Sequence, residues 1–267
     1  MRKGSALIFI LSFLIACENI DLIEIEIDFV EQVVVRADLV KDSLFQGVAF
    51  TKTLPLKEEY QIEKAELTNV IAYLKVNYTQ IIPLHYSSDG IYKPYYDLNV
   101  TGGNTYELFA EVNGKVIYSI TRVPNEPEVT AINNANYNFL EANIKAHPDE
   151  VYGSFWFIKT SPNSEPSFKS LDYHSIVGAS NLNQNLAFTR TTDIPDELKT
   201  SYFLERLYIQ VAAFDKAYKE FFKTKDNNQP IDDVFAQGGG PINWNIQGEN
   251  VIGLFIGRAN SKIFKSN

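Results

Sequence analysis

The chain has 267 residues, a formal net charge of −9 and a single cysteine. Its acidic balance argues against nucleic-acid binding, which needs a basic surface. One cysteine excludes an intramolecular disulfide, so the fold must be stabilised by burial of its core. The 18 Phe and 15 Tyr residues are typical of β-sheet cores.

The first sixteen residues predict a secretory signal peptide. Arg2 and Lys3 precede an apolar run over residues 6–15. That run is too short for a stable transmembrane helix, which needs about 20 apolar residues. It ends at Ala16, a small residue that a signal peptidase can accept. We therefore expect residues 1–16 to be removed on export.

The tetrapeptide Leu14-Ile15-Ala16-Cys17 resembles the lipobox of bacterial lipoproteins. In a lipobox the cysteine thiol is alkylated with diacylglycerol, the chain is cut before it, and the new N-terminus is acylated, typically with palmitate. The resemblance implies that Cys17 carries a lipid anchor, and two or more acyl chains hold a protein durably on a membrane. Two alternatives stay open: an ordinary signal peptide that contains a cysteine, and a buried core thiol.

Structured sequence is expected close to the membrane, because the lipidated tether spans only residues 17–21. Ile23, Ile25 and Ile27 alternate with acidic residues directly after it. A period of two indicates a half-buried strand with an acidic outer face.

Residues 22–124 are predicted to form a β-sandwich of immunoglobulin-like type. Short apolar runs alternate there with turn signals, and Asn113-Gly114 marks the clearest hairpin. About seven strands in roughly a hundred residues match that architecture. Strands are expected at residues 32–39, 47–52, 65–75, 81–86, 95–100, 105–112 and 116–121.

Pro124 and Pro127 predict a boundary before a second β-rich domain over residues 128–267. Asp215 is a candidate N-cap for a short helix over residues 216–223. Further strands are expected at residues 138–146, 153–160, 207–214 and 251–256. The sequence therefore predicts a mainly β protein with two immunoglobulin-like β-sandwich domains, the second containing a short helix.

Several segments occur together in a fixed order: residues 33–39, 48–56, 103–108, 121–124, 215–221, 245–248 and 253–257. As a set they resemble a family of Bacteroidota surface lipoproteins known as domain of unknown function 4249, over nearly the whole mature chain. The chain departs from the family at Gly248-Glu249-Asn250, where a Gly-Gly pair is usual. The resemblance implies an outer-membrane lipoprotein, often found beside TonB-dependent transporters, with no established catalytic activity and no active-site residues to carry over.

The sequence patterns predict no catalytic or metal site. His85, His147 and His174 are far apart in sequence, and the one cysteine is the expected lipid carrier. The Gly-x-Ser-x-Gly motif of serine hydrolases is missing from the sequence. A glycosidase would need two neighbouring carboxylates, and 33 acidic residues do not single out a pair. We expect no enzyme activity, no metal and no cofactor.

Aromatic side chains are the candidate ligand-binding residues: Tyr95 and Tyr96 after a Lys-Pro pair, and Trp156 between two phenylalanines in a predicted strand. Neighbouring residues of a strand face opposite sides, so one of these rings would be exposed unless both faces of the strand are covered. Two interpretations stay open. The rings belong to a sheet core, or they form a stacking platform for a sugar or a docking patch for a protein.

These features favour a non-catalytic, lipid-anchored module at the outer membrane that contacts a protein partner such as a TonB-dependent transporter. Residues 238–257 of the second domain are expected to be best placed for that contact. The alternative is a surface lipoprotein that binds a glycan or a peptide, and a hydrolase with an unrecognised carboxylate pair is a third hypothesis. The family resemblance implies exposure at the cell surface, with the periplasmic face left open.

Overall fold

The regular secondary structure in the described part of this protein consists mostly of β-strands. A computed structural model describes residues 29–134, 138–159, 167–168, 177–178, 186–191, 193–199, 206–218, 221 and 243–266. Residues Glu31–Asn267 belong to one compact unit. The prediction of a mainly β protein is confirmed.

Sixteen strands are present among the described residues. They are β1 Val33–Val40, β2 Val48–Lys52, β3 Ile71–Val76, β4 Gln80–Ser88, β5 Ile91–Lys93, β6 Thr105–Val112, β7 Lys115–Arg122, β8 Val129–Asn134, β9 Leu140–Lys145, β10 Glu150–Ile158, β11 Ser167–Phe168, β12 Val177–Gly178, β13 Leu186–Arg190, β14 Leu207–Asp215, β15 Val251–Asn260 and β16 Phe264–Lys265. A one-turn helix, α1, spans Ile62–Ala65, and a 3-10 turn spans Asp196–Leu198.

The large sheet has the strand order β11-β10-β14-β15-β1-β2-β5-β4-β3-β6-β7, with β12 beside β10 and β16 beside β14. It curls, so that the end of β7 meets β15: the Gly257 N–H donates a 2.8 Å hydrogen bond to Thr121 Oγ1. The inward residues of the curled part form the first core, which includes Leu39, Phe50 and Leu108.

Strand β15 joins the two halves of the large sheet. It pairs in parallel with β1, from Val33 opposite Val251 to Val40 opposite Arg258, and antiparallel with β14. Phe255 packs in the first core, whereas Leu254 and Ile256 pack in another apolar cluster on the opposite face. One strand therefore contributes to both halves.

A smaller sheet, in the order β13-β9-β8, lies over one face of β10 and β14. The second core fills the space between them and includes Ile144, Trp156 and Ile209. The third cluster covers the other face of β10 and β14, where Tyr218 and Phe221 follow β14.

Most predicted strands are confirmed to within a few residues, and so is the turn at Asn113-Gly114, where both residues have positive φ. The strand predicted at residues 95–100 is wrong. Pairing with β4 ends at Lys93, because Pro94 has no N–H to donate to the ladder. The strand predicted at residues 65–75 begins only at Ile71 and follows α1.

The second half departs from the sequence prediction in one other respect. Within the predicted contact region, residues 253–257 of β15 are buried beside β1, so they offer no exposed surface to a partner, and residues 238–242 lie outside the described residues. The predicted domain bounds at residues 22–124 and 128–267 stay a prediction. The predicted strand over residues 23–27 and most of the helix after Asp215 lie outside the described residues.

Candidate functional site

The outward side chains of four neighbouring strands, β4, β3, β6 and β7, form an exposed apolar surface that we call the outer face. Alternate residues of these strands, such as Leu74 and Leu108, point into the first core. The residues between them are half-buried or exposed, except for the buried Glu107, and more than half of them are apolar. The apolar residues of the outer face are Ile71, Tyr73, Ile81, Pro83, Phe109, Val116, Tyr118 and Ile120, and the polar residues Lys75, His85, Glu107 and Glu111 face the same side.

An aromatic strip, formed by Tyr73, Phe109 and Tyr118, crosses the middle of the outer face. The three residues are directly opposite one another on β3, β6 and β7. The Tyr73 and Phe109 ring centroids are 5.0 Å apart with an interplanar angle of 13°, and the Phe109 and Tyr118 centroids are 4.9 Å apart at 56°. Cross-strand pairs of this kind stabilise the register of the sheet, and they also determine which rings lie side by side on its surface.

The stacking determines what the strip presents to solvent. Neighbouring strands are about 4.7–4.9 Å apart, so rings that stack across them stand upright on the sheet. The faces of Tyr73 and Phe109 are therefore turned towards each other, and their edges point outward. A sugar platform needs an open ring face, whereas an apolar protein surface can pack against ring edges and aliphatic side chains.

Glu107 lies beneath this surface and is only 7% exposed. Its Oε1 atom accepts a 3.0 Å hydrogen bond from the Tyr118 hydroxyl. Its Oε2 atom is buried and accepts no hydrogen bond within the described part of the chain. Burial, followed by the hydrogen bond to Glu107, raises the pKa of Tyr118, and the nearby Tyr78 raises it further. The site therefore combines apolar contact area with a buried acceptor.

Tyr95, one of the predicted ligand-binding residues, lies at the border of the outer face. It stacks on His85, with the ring centroids 3.6 Å apart. His85 follows Pro83 by two residues on β4 and so faces the same side of the sheet. Tyr95 is 85% exposed, and Tyr96 is exposed as well. The structure thus brings Tyr95 to the outer face.

Trp156 is not available to a ligand, in contrast to the prediction. It is 2% exposed and packs in the second core beneath the smaller sheet. The flanking Phe155 and Phe157 are buried in the third cluster on the other side of β10. Both faces of this strand are covered, so the alternative interpretation of Trp156 as a core residue is the correct one.

A separate pocket of about 520 Å³ opens on the outer side of β1, β2 and β15, lined by Arg36, Asp38 and Arg258 among others. Arg258 Nε donates to Asp38 Oδ2 at 2.8 Å. This ion pair connects the adjacent strands β1 and β15, so we interpret it as a contact that stabilises the sheet.

Cys17, the predicted lipid carrier, lies outside the described residues. Within the described residues no group of three or more His, Cys, Asp or Glu side chains is placed to hold a metal ion. The helices in that part of the chain are all too short or too polar to cross a membrane.

Sequence reasoning did not identify the outer face or Glu107. A signal was present: residues 71–74, 81–84 and 116–118 are uninterrupted runs of apolar or aromatic residues. A strand with one face in water should alternate, so such runs indicate strands with two apolar faces. Such a run does not show which of the two apolar faces stays exposed, because that depends on the tertiary packing.

No protein-family model matches this chain, and no curated protein matches it. The resemblance to domain of unknown function 4249 therefore stays a prediction.

Proposed function

We propose that this protein is a non-catalytic, lipid-anchored module of the outer membrane, exposed at the cell surface, that docks on a protein partner through the outer face. A TonB-dependent transporter or another outer-membrane complex is the proposed partner. The proposed anchor is the lipid on Cys17, inferred from the lipobox-like tetrapeptide.

The observation that carries this proposal is the composition of the outer face. Ile71 is 71% exposed, and Ile81, Val116 and Tyr95 are exposed on the same side of the sheet. A cluster of exposed apolar side chains of this kind, although Lys75 and Glu111 lie among them, supports an interaction site, because exposure of apolar surface to water is unfavourable. The exposed residues lie on paired strands, so the face has a fixed shape before any partner binds.

The same geometry favours a protein over a glycan as the ligand. In the aromatic strip the rings stack on each other and offer their edges, which suits the side chains of a protein surface. Tyr95 has an exposed ring, and it supports the alternative of a glycan-binding lipoprotein.

The architecture that we propose for the module is two sandwich-like halves that share β15. The first half has its own core inside the curled sheet, and the second half has a core between the smaller sheet and strands β10 and β14. In this architecture the two predicted immunoglobulin-like domains would share strand β15.

The partner proposal is tested by capture from detergent-solubilised outer membranes with full-length, tagged protein. Ile71→Lys should lose the captured partner, because it places a charge in the apolar contact. The variant should keep its fold, because Glu111 lies directly opposite residue 71 on β6 and can form an ion pair with the lysine. Phe188→Lys is the matched control, since Phe188 is also exposed, at 56%, but lies on β13 in the smaller sheet.

The proposal is wrong if Ile71→Lys retains the partner as well as the control does. Binding of a glycan from a test panel that depends on Tyr95, together with no capture of a membrane protein, would favour the glycan alternative. The anchor has its own test: Cys17→Ala should abolish incorporation of radiolabelled palmitate, and unchanged labelling would exclude Cys17 as the lipid carrier.

A further inference from the structure

The loop between β2 and α1, residues 53–61, carries an apolar side chain on an exposed turn, and we call it the entry loop. The Glu58 N–H donates a 2.9 Å hydrogen bond to the Pro55 carbonyl oxygen and so closes a turn around Leu56. Leu56 is 100% exposed, and Tyr60 in the same loop is 64% exposed. A single exposed leucine is common on protein surfaces, so the meaning of this one depends on where the loop lies.

The entry loop lies at the end of the first half where the chain arrives from the proposed lipid anchor. The Thr53 N–H donates a 2.9 Å hydrogen bond to the Gln32 carbonyl oxygen, and Lys52 Nζ lies 2.9 Å from Glu31 Oε2. Cys17 precedes Glu31 by about 14 residues, and a fully extended chain of that length reaches about 50 Å. An anchor on Cys17 therefore keeps this end of the protein within reach of the lipid leaflet.

The side chains of the entry loop suit the interface of a lipid leaflet and not its interior. A tyrosine ring is amphipathic, so it is favoured at the level of the head groups. Glu58 and Glu59 lie between Leu56 and Tyr60 and are exposed, and a carboxylate is costly in hydrocarbon. The two glutamates limit the contact to the head-group region, and their charge favours zwitterionic over anionic head groups.

We propose that the entry loop is a lipid-contact site that orients the protein on the membrane. Leu56 enters the boundary between head groups and acyl chains, and Tyr60 lies among the head groups. A weak contact is enough, because the lipid on Cys17 already holds the chain at the membrane and makes the second contact intramolecular. This inference rests on the proposed lipid anchor and adds an orientation to the proposed docking function.

The orientation follows from the strand directions in the curled sheet. Each step from β1 through β2, β5 and β4 to β3 is antiparallel, so β3 runs in the same direction as β1. The turn after β3, with the 59% exposed Tyr78, therefore lies at the end of the sheet opposite Gln32. With the entry loop on the lipid, these strands stand up from the membrane. The outer face then points sideways, towards neighbouring membrane proteins.

The test measures the depth of the entry loop, with full-length protein in nanodiscs of phosphatidylethanolamine and phosphatidylcholine. Cys17 is the only cysteine and its thiol is the proposed lipid carrier, so Leu56→Cys supplies a single thiol for a nitrobenzoxadiazole fluorophore. Iodide in the water should quench this label at least about threefold less than the same label on the control Tyr78→Cys, because insertion by about 5–10 Å shields it. Nitroxide groups on the acyl chains should quench it more than the control.

The leucine side chain, and not the fluorophore, should cause the insertion. A label on Tyr60→Cys should also be shielded from iodide, and the additional substitution Leu56→Asp should abolish that shielding. Shielding at Tyr60→Cys that survives Leu56→Asp would overturn the inference.

Equal iodide quenching of the labels on Leu56→Cys and Tyr78→Cys would overturn the inference as well. So would shielding that appears only with a captured outer-membrane protein, because the loop would then be a protein contact. Labelling of the wild-type protein would show that the Cys17 thiol is free, and the proposed anchor would fail together with this inference. If the wild-type protein takes up no label, absent shielding overturns the lipid contact alone, and the Ile71→Lys capture experiment judges the docking function separately.

Discussion

Tyr152 is a buried tyrosine whose hydroxyl connects β10 to the turn that precedes it. The hydroxyl accepts a hydrogen bond from the His147 N–H and donates one to Glu150 Oε2, both at 2.8 Å. Burial raises the pKa of Tyr152 well above its ordinary value, the hydrogen bond from His147 lowers it in part, and Glu150 raises it further. Burial also raises the pKa of Tyr92.

These shifts predict that the folded protein loses stability in alkaline solution. Unfolded tyrosines ionise near pH 10, whereas the folded chain keeps these protons to higher pH. The unfolded state then binds fewer protons, so the free energy of unfolding falls as pH rises above about 10. Urea titrations followed by circular dichroism at pH 8 and pH 11 should show this fall, and Tyr152→Phe should reduce it.

Tyr152→Phe should also lower the free energy of unfolding at pH 8 by about 1–3 kcal/mol, because two buried groups lose their partner. Tyr60→Phe is the control: Tyr60 is exposed, and its replacement should change stability by less than about 0.5 kcal/mol. An unaltered pH dependence in Tyr152→Phe would contradict the assignment of the effect to this residue.

At the scale of single residues, the sequence identified Tyr95 and missed Glu107. Tyr95 could be selected as an aromatic residue beside a Lys-Pro pair, although the strand predicted over residues 95–100 is wrong, because Pro94 ends the pairing. Glu107 could not, since one glutamate among 33 acidic residues has no local mark of burial. Its surroundings are set by Tyr118 and Lys75, which neighbouring strands bring to it.

Strand β15 pairs with β1 at a position where only glycine fits. Gly253 has φ +132°, and a Cβ added there would lie 1.9 Å from the Val35 carbonyl oxygen. Gly253→Ala should therefore lower the free energy of unfolding by more than about 2 kcal/mol, because displacement of β1 adds to backbone strain of about 1–3 kcal/mol. Chemical denaturation measures this difference.

Gly114→Ala provides the matched control in the hairpin between β6 and β7. Gly114 also has positive φ, +79°, but nothing lies within 4 Å of an added Cβ. Only the conformational cost remains there, about 1–2 kcal/mol. Equal losses in the two variants would show that the close approach of β1 to β15 does not constrain Gly253.

At the scale of elements, local pattern predicted the strands, and it could not predict their partners. Alternation and Asn-Gly or Asp-Gly turns are properties of adjacent residues, so β6, β7 and their hairpin were placed correctly. The parallel pairing of β1 with β15 joins segments near opposite ends of the chain. Pairing of such distant segments depends on the packing of the whole core and leaves no mark in either strand.

For the whole molecule, the position of β15 implies that the first half depends on the C-terminal residues. Without β15, β1 loses its parallel neighbour, the first core loses Phe255, and Thr121 Oγ1 loses the Gly257 N–H. A fragment of residues 18–127 should therefore lack a cooperative unfolding transition by circular dichroism. It should also show little protection of its amides from hydrogen exchange.

The same argument predicts the behaviour of a chain that is cut and not shortened. A protease site inserted between Asn125 and Glu126, both exposed, separates the two halves covalently and leaves β15 paired with β1. The nicked protein should stay a single species in size-exclusion chromatography and unfold near the midpoint of the intact protein. Separation into two halves that each unfold cooperatively would instead establish two independent domains, and β15 would then belong to the second alone.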